Sequence, residues 1–266
     1  MSNRKFVILG ERCSGTNFLE EAITQNFNVT YTSEYGNKHF FCWNNYASAN
    51  EDTIFIGIIR NPIYWLNSFS KELHHIPSIN KSLQNFLFNE FYSVLDEKKN
   101  KLSIMNFGND FNNFNSNTEI VNTKDLNYLT GKKYTNIFEM RKLKNHYLMN
   151  IMPRRVKNYI LINYESLLYN YDVTLNDIQT KFTLNKKTDT YVKIKNYKKS
   201  NSYNYKQQRL ITFNNELIHI IWKNLNTSQE RVLGYFEGDD NGIFKRLTND
   251  DASVSDALAT NTASIS

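Results

Sequence analysis

Arg12, Lys38, His39, Arg60 and Ser68 are the residues whose types and neighbours suit chemistry on an anion. Arg12 lies in the run FVILGERCSGTNFLEEAI, residues 6–23. There an apolar stretch ends in Gly10, and a second glycine, Gly15, opens a helical pattern. Glycine at these points lets backbone come close to a ligand, and the N–H groups of the turn and of the helix start favour negative charge. Ser14, Thr16 and Asn17 add side-chain donors, Cys13 lies inside the loop, and Arg12 adds positive charge. Thr16 stands where a triphosphate-hydrolysing loop carries lysine. An ordinary strand–helix turn has the same outline, so the loop alone names no ligand.

A second segment narrows the chemistry. Residues 53–59, TIFIGII, lead into RNPIYWLNSF. Arg60 stands at the end of an apolar strand, and Pro62 suits the first position of a helix, where its missing N–H costs nothing. Ser68 then falls nearly two turns into that helix. The spacing predicts that Arg60 and Ser68 converge on one phosphate at the carboxyl edge of a parallel sheet, where such sites form.

A proton-transfer partner has several candidates. His39, in NKHFF, follows a predicted strand over 28–33 and so reaches the loop; an imidazole suits general-base work near neutrality. His74 and His75 follow the Arg60–Ser68 helix and suit the lining of an acceptor cleft, with His75 the next candidate base. His146 and His219 fall within helical patterns, and Glu34 is a carboxylate alternative. Each lone histidine serves equally well as a structural residue. Arg141, Lys142 and Lys144 read as a solvated helix face or, alternatively, a face for an anionic acceptor. No His/Cys cluster has metal-ligand spacing, so no metal site is expected.

Behind these residues lies a strand–helix alternation. Strands are predicted over 5–10, 53–59 and 157–163, besides the one over 28–33. Helices are predicted over 16–26, 62–72, 82–99, 135–151, 171–182, 205–225 and 228–234, with a short one at YESLL. Such alternation implies an α/β fold with a central parallel sheet flanked by helices. The Asn-rich stretch 106–130 reads as a loop insertion. Residues 1–236 form the expected domain and 237–266 a tail. The tail's last stretch, LTNDDASVSDALATNTASIS, has too little apolar surface to fold alone and is expected to be disordered or ordered by a partner.

Composition sets bounds. The chain has 266 residues, of which 40% are hydrophobic and 14% aromatic, enough for one domain with a real core. The net charge of +6 fits a lysine-rich surface or an anionic ligand. Its basic residues form only short clusters, which argues against nucleic acid. The two cysteines, Cys13 and Cys42, argue against a disulfide framework. No apolar run is long enough for a membrane span. A strand begins almost at the first residue, so a cytoplasmic, reducing setting is the expectation.

The loop GERCSGTN, the segment RNPxxWxxS and the later YESLL together resemble those of sulfotransferases that use 3′-phosphoadenosine-5′-phosphosulfate (PAPS). The resemblance covers residues 5–236. It implies a three-layer P-loop-like fold and transfer of a sulfuryl group to an acceptor hydroxyl; the positive charge favours carbohydrate, with a peptide tyrosine or a lipid as alternatives, and the rival readings are a P-loop small-molecule kinase and a non-catalytic nucleotide-binding or virion-associated interaction protein. It further implies that Arg12, Cys13, Ser14, Gly15, Thr16 and Asn17 hold the 5′-phosphosulfate and that Arg60 and Ser68 hold the 3′-phosphate. Lys198 and Lys199, in YKKSNSYNYK, correspond to a late basic loop that closes over the nucleotide. PAPS has no γ-phosphate, which accounts for a loop without the lysine. Many members carry Lys or Arg directly before the Ser-Gly pair; here Cys13 does, with Arg12 one residue earlier. Either the loop is locally shifted or another cation, Lys38, takes the role. His39, Arg12 and Lys38 are the expected catalytic residues.

Overall fold

Four parallel strands in the order β2-β1-β3-β4 form the central sheet: β1 (Arg4–Leu9), β2 (Val29–Tyr31), β3 (Ile54–Ile59) and β4 (Asn158–Asn163). The computed structural model describes residues 4–47, 49, 51–95, 119–195 and 211–238. The chain divides into Met1–Phe236 and Glu237–Ser266, and the elements described here belong to the first. Lys198, Lys199, residues 106–118 of the expected insertion and the tail 247–266 lie outside the described residues.

The strand order follows from the chain path. From β1 the chain passes through α1 (Thr16–Asn26) to β2 on one side, then crosses to β3 on the other. The carboxyl ends of β1 and β3 therefore flank the point where the winding direction switches, the crevice where open α/β sheets bind ligands. All six residues of β3 are buried, as its near-continuous apolar run requires. Phe6, Ile8, Ile54, Ile56 and Ile58 face α1, α6 (Tyr164–Tyr169) and α7 (Tyr171–Phe182) in one cluster. On the opposite face, Phe55 meets the rings of Tyr35 and Tyr46 at 5.4 and 5.6 Å.

The remaining elements are α2 (Pro62–Phe69), α3 (Leu83–Phe88), α4 (Ile137–His146), α5 (Met152–Arg155), α8 (Asn215–Asn224) and α9 (Thr227–Val232). A π-turn at Tyr147–Ile151 joins α4 to α5. The helix expected over 82–99 stops at Phe88. Its continuation pairs instead with a later segment: the Phe91 N–H donates to the Tyr134 carbonyl at 2.8 Å and the reverse bond is 2.9 Å. Phe86 and Phe91 pack edge-on against Phe69, so tertiary contacts override the local helical pattern. Among the described residues no helix is long and apolar enough to cross a membrane.

Candidate functional site

Gly10 ends β1, and both of its backbone groups are tied to one neighbouring segment. Its N–H donates to the Lys38 carbonyl at 3.0 Å, and its carbonyl lies 2.8 Å from His39 Nδ1. A carbonyl only accepts, so Nδ1 carries the proton and Nε2 is left with its lone pair. His39 is half-buried. Burial is the main cause that moves its pKa from 6.5 down to about 4, against the opposing pull of Glu11 and the Gly10 carbonyl. The ring is therefore neutral at pH 7. Lys38 reaches across to the first turn of α1, with Nζ 2.6 Å from Asn17 Oδ1 and 3.2 Å from Glu20 Oε2.

The loop between Gly10 and α1 turns through two left-handed residues, Cys13 at φ 64° and Gly15 at φ 91°. A Cβ on Gly15 would lie 2.2 Å from the Tyr164 ring, and one on Gly10 would lie 2.7 Å from the Ile58 carbonyl. Glycine is thus required at both points by contact, and at Gly15 by conformation as well. Gly15 caps α1, and no side chain accepts from that helix start. Its dipole and amides face the loop unopposed by a capping oxygen. Ser14 and Thr16 are buried, while Asn17 is exposed. Burial pushes the Cys13 thiol up to about 11, so it stays neutral.

From the end of β3, Arg60 reaches the same loop. Its Nη1 donates to the Cys13 carbonyl at 2.9 Å and to Ser68 Oγ at 3.1 Å. The guanidinium also lies over the Tyr164 ring at 4.8 Å. Its Nε is buried without a hydrogen-bond partner. Asn61 caps α2 by accepting from the N–H groups of Ile63 and Tyr64. One face of that helix then delivers Trp65, whose Nε1 donates to the Arg12 carbonyl at 2.9 Å, and Ser68. Glu165 fixes the entry to α2, accepting from the Asn61 N–H at 3.0 Å and from the Tyr235 hydroxyl at 3.1 Å.

Arg12 has a different set of partners from the one its sequence position suggests. Arg12 is 7% exposed, and its guanidinium donates to Glu11 Oε1 at 3.1 Å, Ser93 Oγ at 2.8 Å, Asp125 Oδ2 at 3.3 Å and the His74 carbonyl at 3.0 Å. Lys144 completes this buried group, pairing with Glu11 and with Asp125 Oδ1 at 2.5 Å and donating to the His39 carbonyl at 3.0 Å. Two acids face two bases. Burial would raise the Glu11 pKa, but Lys144 and Arg12 together outweigh it and hold the carboxyl at about 2. Arg141 is also buried. It grips Glu230 through two bonds of 2.6 and 2.7 Å and donates to the Arg60 carbonyl at 3.0 Å. The solvated or acceptor-binding face expected at 141–144 therefore shrinks to Lys142, which alone of the three is exposed.

The structure brings Lys38, His39, Cys13, Ser14, Gly15, Thr16, Asn17, Arg60 and Ser68 around one loop. Glu34 is elsewhere: it pairs with Lys5 at 2.7 Å, near the amino end of β1. His146 bonds Asn150 on an exposed helix face, and His219 is exposed on α8. The sequence reading passed over Glu11 and Asp125 and put Lys144 on a solvated or acceptor-binding face instead of in this buried group. A signal existed for Lys144, because it continues the apolar stripe of Ile137, Met140 and Leu148, where a charge has to be paired. Set against family models, curated proteins and solved structures, the chain matches none.

Proposed function

We propose that the chain is a PAPS-dependent sulfotransferase with a P-loop-like fold, acting on an acceptor hydroxyl of carbohydrate. The observation that carries this reading is Arg60. One side of its guanidinium ties the loop carbonyl of Cys13 to Ser68, while Nε is buried and unpartnered. A buried donor without a partner is costly, and an anion beside it removes that cost. Arg60 and Ser68 form a second anion site next to the first, and a nucleotide with phosphate at both 5′ and 3′ positions engages the two together.

Each residue has a role in this reading. The N–H groups of Gly10, Arg12 and Ser14 are already given to Lys38 and Glu11, so the uncapped start of α1 at the end of the turn supplies the backbone N–H groups that hold the 5′-phosphosulfate. Arg60 and Ser68 hold the 3′-phosphate. Lys38, already at Asn17 on the first turn of α1, supplies the positive charge that a neutral Cys13 lacks. Arg12, turned inward, holds the loop from beneath rather than touching the donor. His39 Nε2 takes the proton of the acceptor hydroxyl as its oxygen bonds to sulfur. Lys38 then offsets the charge left on the 5′-phosphate oxygen when the S–O bond breaks. A bound anion beside the ring raises the His39 pKa toward neutrality by charge attraction. As in phosphoryl transfer, positioning and charge stabilisation are the demands.

The test is transfer of radiolabelled sulfate from PAPS to a panel of oligosaccharides, peptides and phenols. Product with the wild type, and its loss by about 10²–10⁴ in rate with His39→Ala, is the expected outcome. No product with any acceptor contradicts the reading.

A further inference from the structure

His39 and His75 are fixed in the same way. His39 Nδ1 lies 2.8 Å from the Gly10 carbonyl, and His75 Nδ1 lies 2.8 Å from the Val94 carbonyl. Each Nδ1 therefore donates, and Nε2 is the ring nitrogen left to face a ligand. Neither Nε2 has a protein partner among the described residues. Both rings are half-buried.

The two histidines are also physically linked. Phe40 follows His39 in the chain, and its ring meets the His75 ring edge-on with centroids 6.1 Å apart. Beneath them, the Arg12 guanidinium lies 5.7 Å from the Phe40 ring and donates to the His74 carbonyl at 3.0 Å. The residue that steadies the anion loop thus also steadies the turn that presents His75.

His75 adopts φ 63°, a left-handed conformation that a residue with a Cβ holds only when its surroundings enforce it. The enforcement is visible. The Val94 N–H returns a bond to the His75 carbonyl at 2.9 Å, so backbone and ring are both clamped on one residue. Glycine would hold this turn at lower cost, and the imidazole is what the strain keeps in place.

We propose that His75 Nε2 accepts a hydrogen bond from a second hydroxyl of the acceptor while His39 serves the reacting one. The acceptor is then a molecule with neighbouring hydroxyls, a sugar, rather than a phenol or a tyrosine. This rests on the sulfotransferase reading and names the acceptor side of the same site.

The experiment compares wild type, His75→Asn and His75→Gly with labelled PAPS and three classes of acceptor: unsulfated oligosaccharides, β-naphthol and a tyrosine peptide. Asparagine tolerates the left-handed conformation and can donate to Val94 but has no Nε2. Glycine removes the strain, so its melting temperature should equal or exceed that of the wild type. Transfer to a saccharide is expected, with KM for it raised about tenfold in both variants, as loss of one hydrogen bond implies. Affinity for adenosine 3′,5′-bisphosphate should stay at the wild-type value. Unchanged KM in both variants overturns the inference. So does transfer confined to β-naphthol or the peptide, or no transfer to any saccharide by a protein that binds the bisphosphate. Failure of the wild type to bind the bisphosphate overturns the sulfotransferase reading and this inference with it.

Discussion

Arg60 Nη1 stands 3.1 Å from Ser68 Oγ, and the same nitrogen holds the Cys13 carbonyl at 2.9 Å. One guanidinium thus joins the end of β3, the second turn of α2 and the loop after β1. If this guanidinium holds a 3′-phosphate, Arg60→Ala should weaken adenosine 3′,5′-bisphosphate by about ten- to a hundredfold, since a charge-assisted bond is worth about 1.5–3 kcal/mol. Binding of ADP should change far less. Ser68→Ala should cost about two- to tenfold on the scale of one neutral bond. Equal losses for both nucleotides, measured by calorimetry, would show that Arg60 only shapes the loop.

Gly15 is fixed by its left-handed φ of 91° and by the Tyr164 ring, 2.2 Å from any added Cβ. Gly15→Ala should lose about 1–3 kcal/mol to backbone strain alone, with nucleotide binding lost alongside. Tyr164 also underlies Arg60 at 4.8 Å, so the ring cannot retreat without moving that side chain. A urea midpoint like that of the wild type would refute this view of the loop.

The buried group of Glu11, Asp125, Arg12 and Lys144 predicts strong coupling. Lys144→Met leaves two carboxylates facing one guanidinium and should cost about 3–5 kcal/mol. Removing Glu11 as well, in Glu11→Gln with Lys144→Met, restores the balance and should cost less than the sum of the single changes. Additive losses in this double-mutant cycle would show that the charges act independently.

How much of this was legible in the sequence varies with the kind of contact involved. The loop, Arg60, Ser68 and the two central strands are local patterns: a strand, a glycine turn, a proline-led helix. They fell where expected, with α1 at Thr16–Asn26 and α2 ending at Phe69 rather than 72. The pairing of Phe91 with Tyr134 was hidden because it depends on a segment more than forty residues away. Arg12 misled for a related reason. Its position in the loop suggested an anion ligand, but Asp125 and Ser93, far along the chain, offer a closer set of acceptors. Buried charge pairs of this kind carry no sequence period, so only the stripe through Lys144 hinted at them.

Two lowered pKa values make stability fall with falling pH, while burial raises the carboxyls of Asp125 and Glu165, which act in the opposite direction. His39 falls from 6.5 to about 4 in the folded state, so the unfolded chain binds its proton first. The stability from the neutral ring is complete above pH 6.5 and is lost as pH falls through 4. Glu11, lowered from 4.5 to about 2, contributes above pH 4.5 and loses that contribution as pH falls through 2. Denaturation at pH 7.5, 5.5 and 4 should show a larger decline in the wild type than in His39→Gln, the difference arising between pH 6.5 and 4. An equal decline in that variant would place the titrating group elsewhere.

Calorimetric titration with adenosine 3′,5′-bisphosphate and with ADP, each with and without magnesium, tests the central claim most directly. The two anion sites proposed at the loop before α1 and at Arg60–Ser68 predict that the bisphosphate binds at least tenfold more tightly, on the scale of one charge-assisted bond, and without magnesium. Equal affinity for the two nucleotides, or binding that appears only with magnesium, would contradict it.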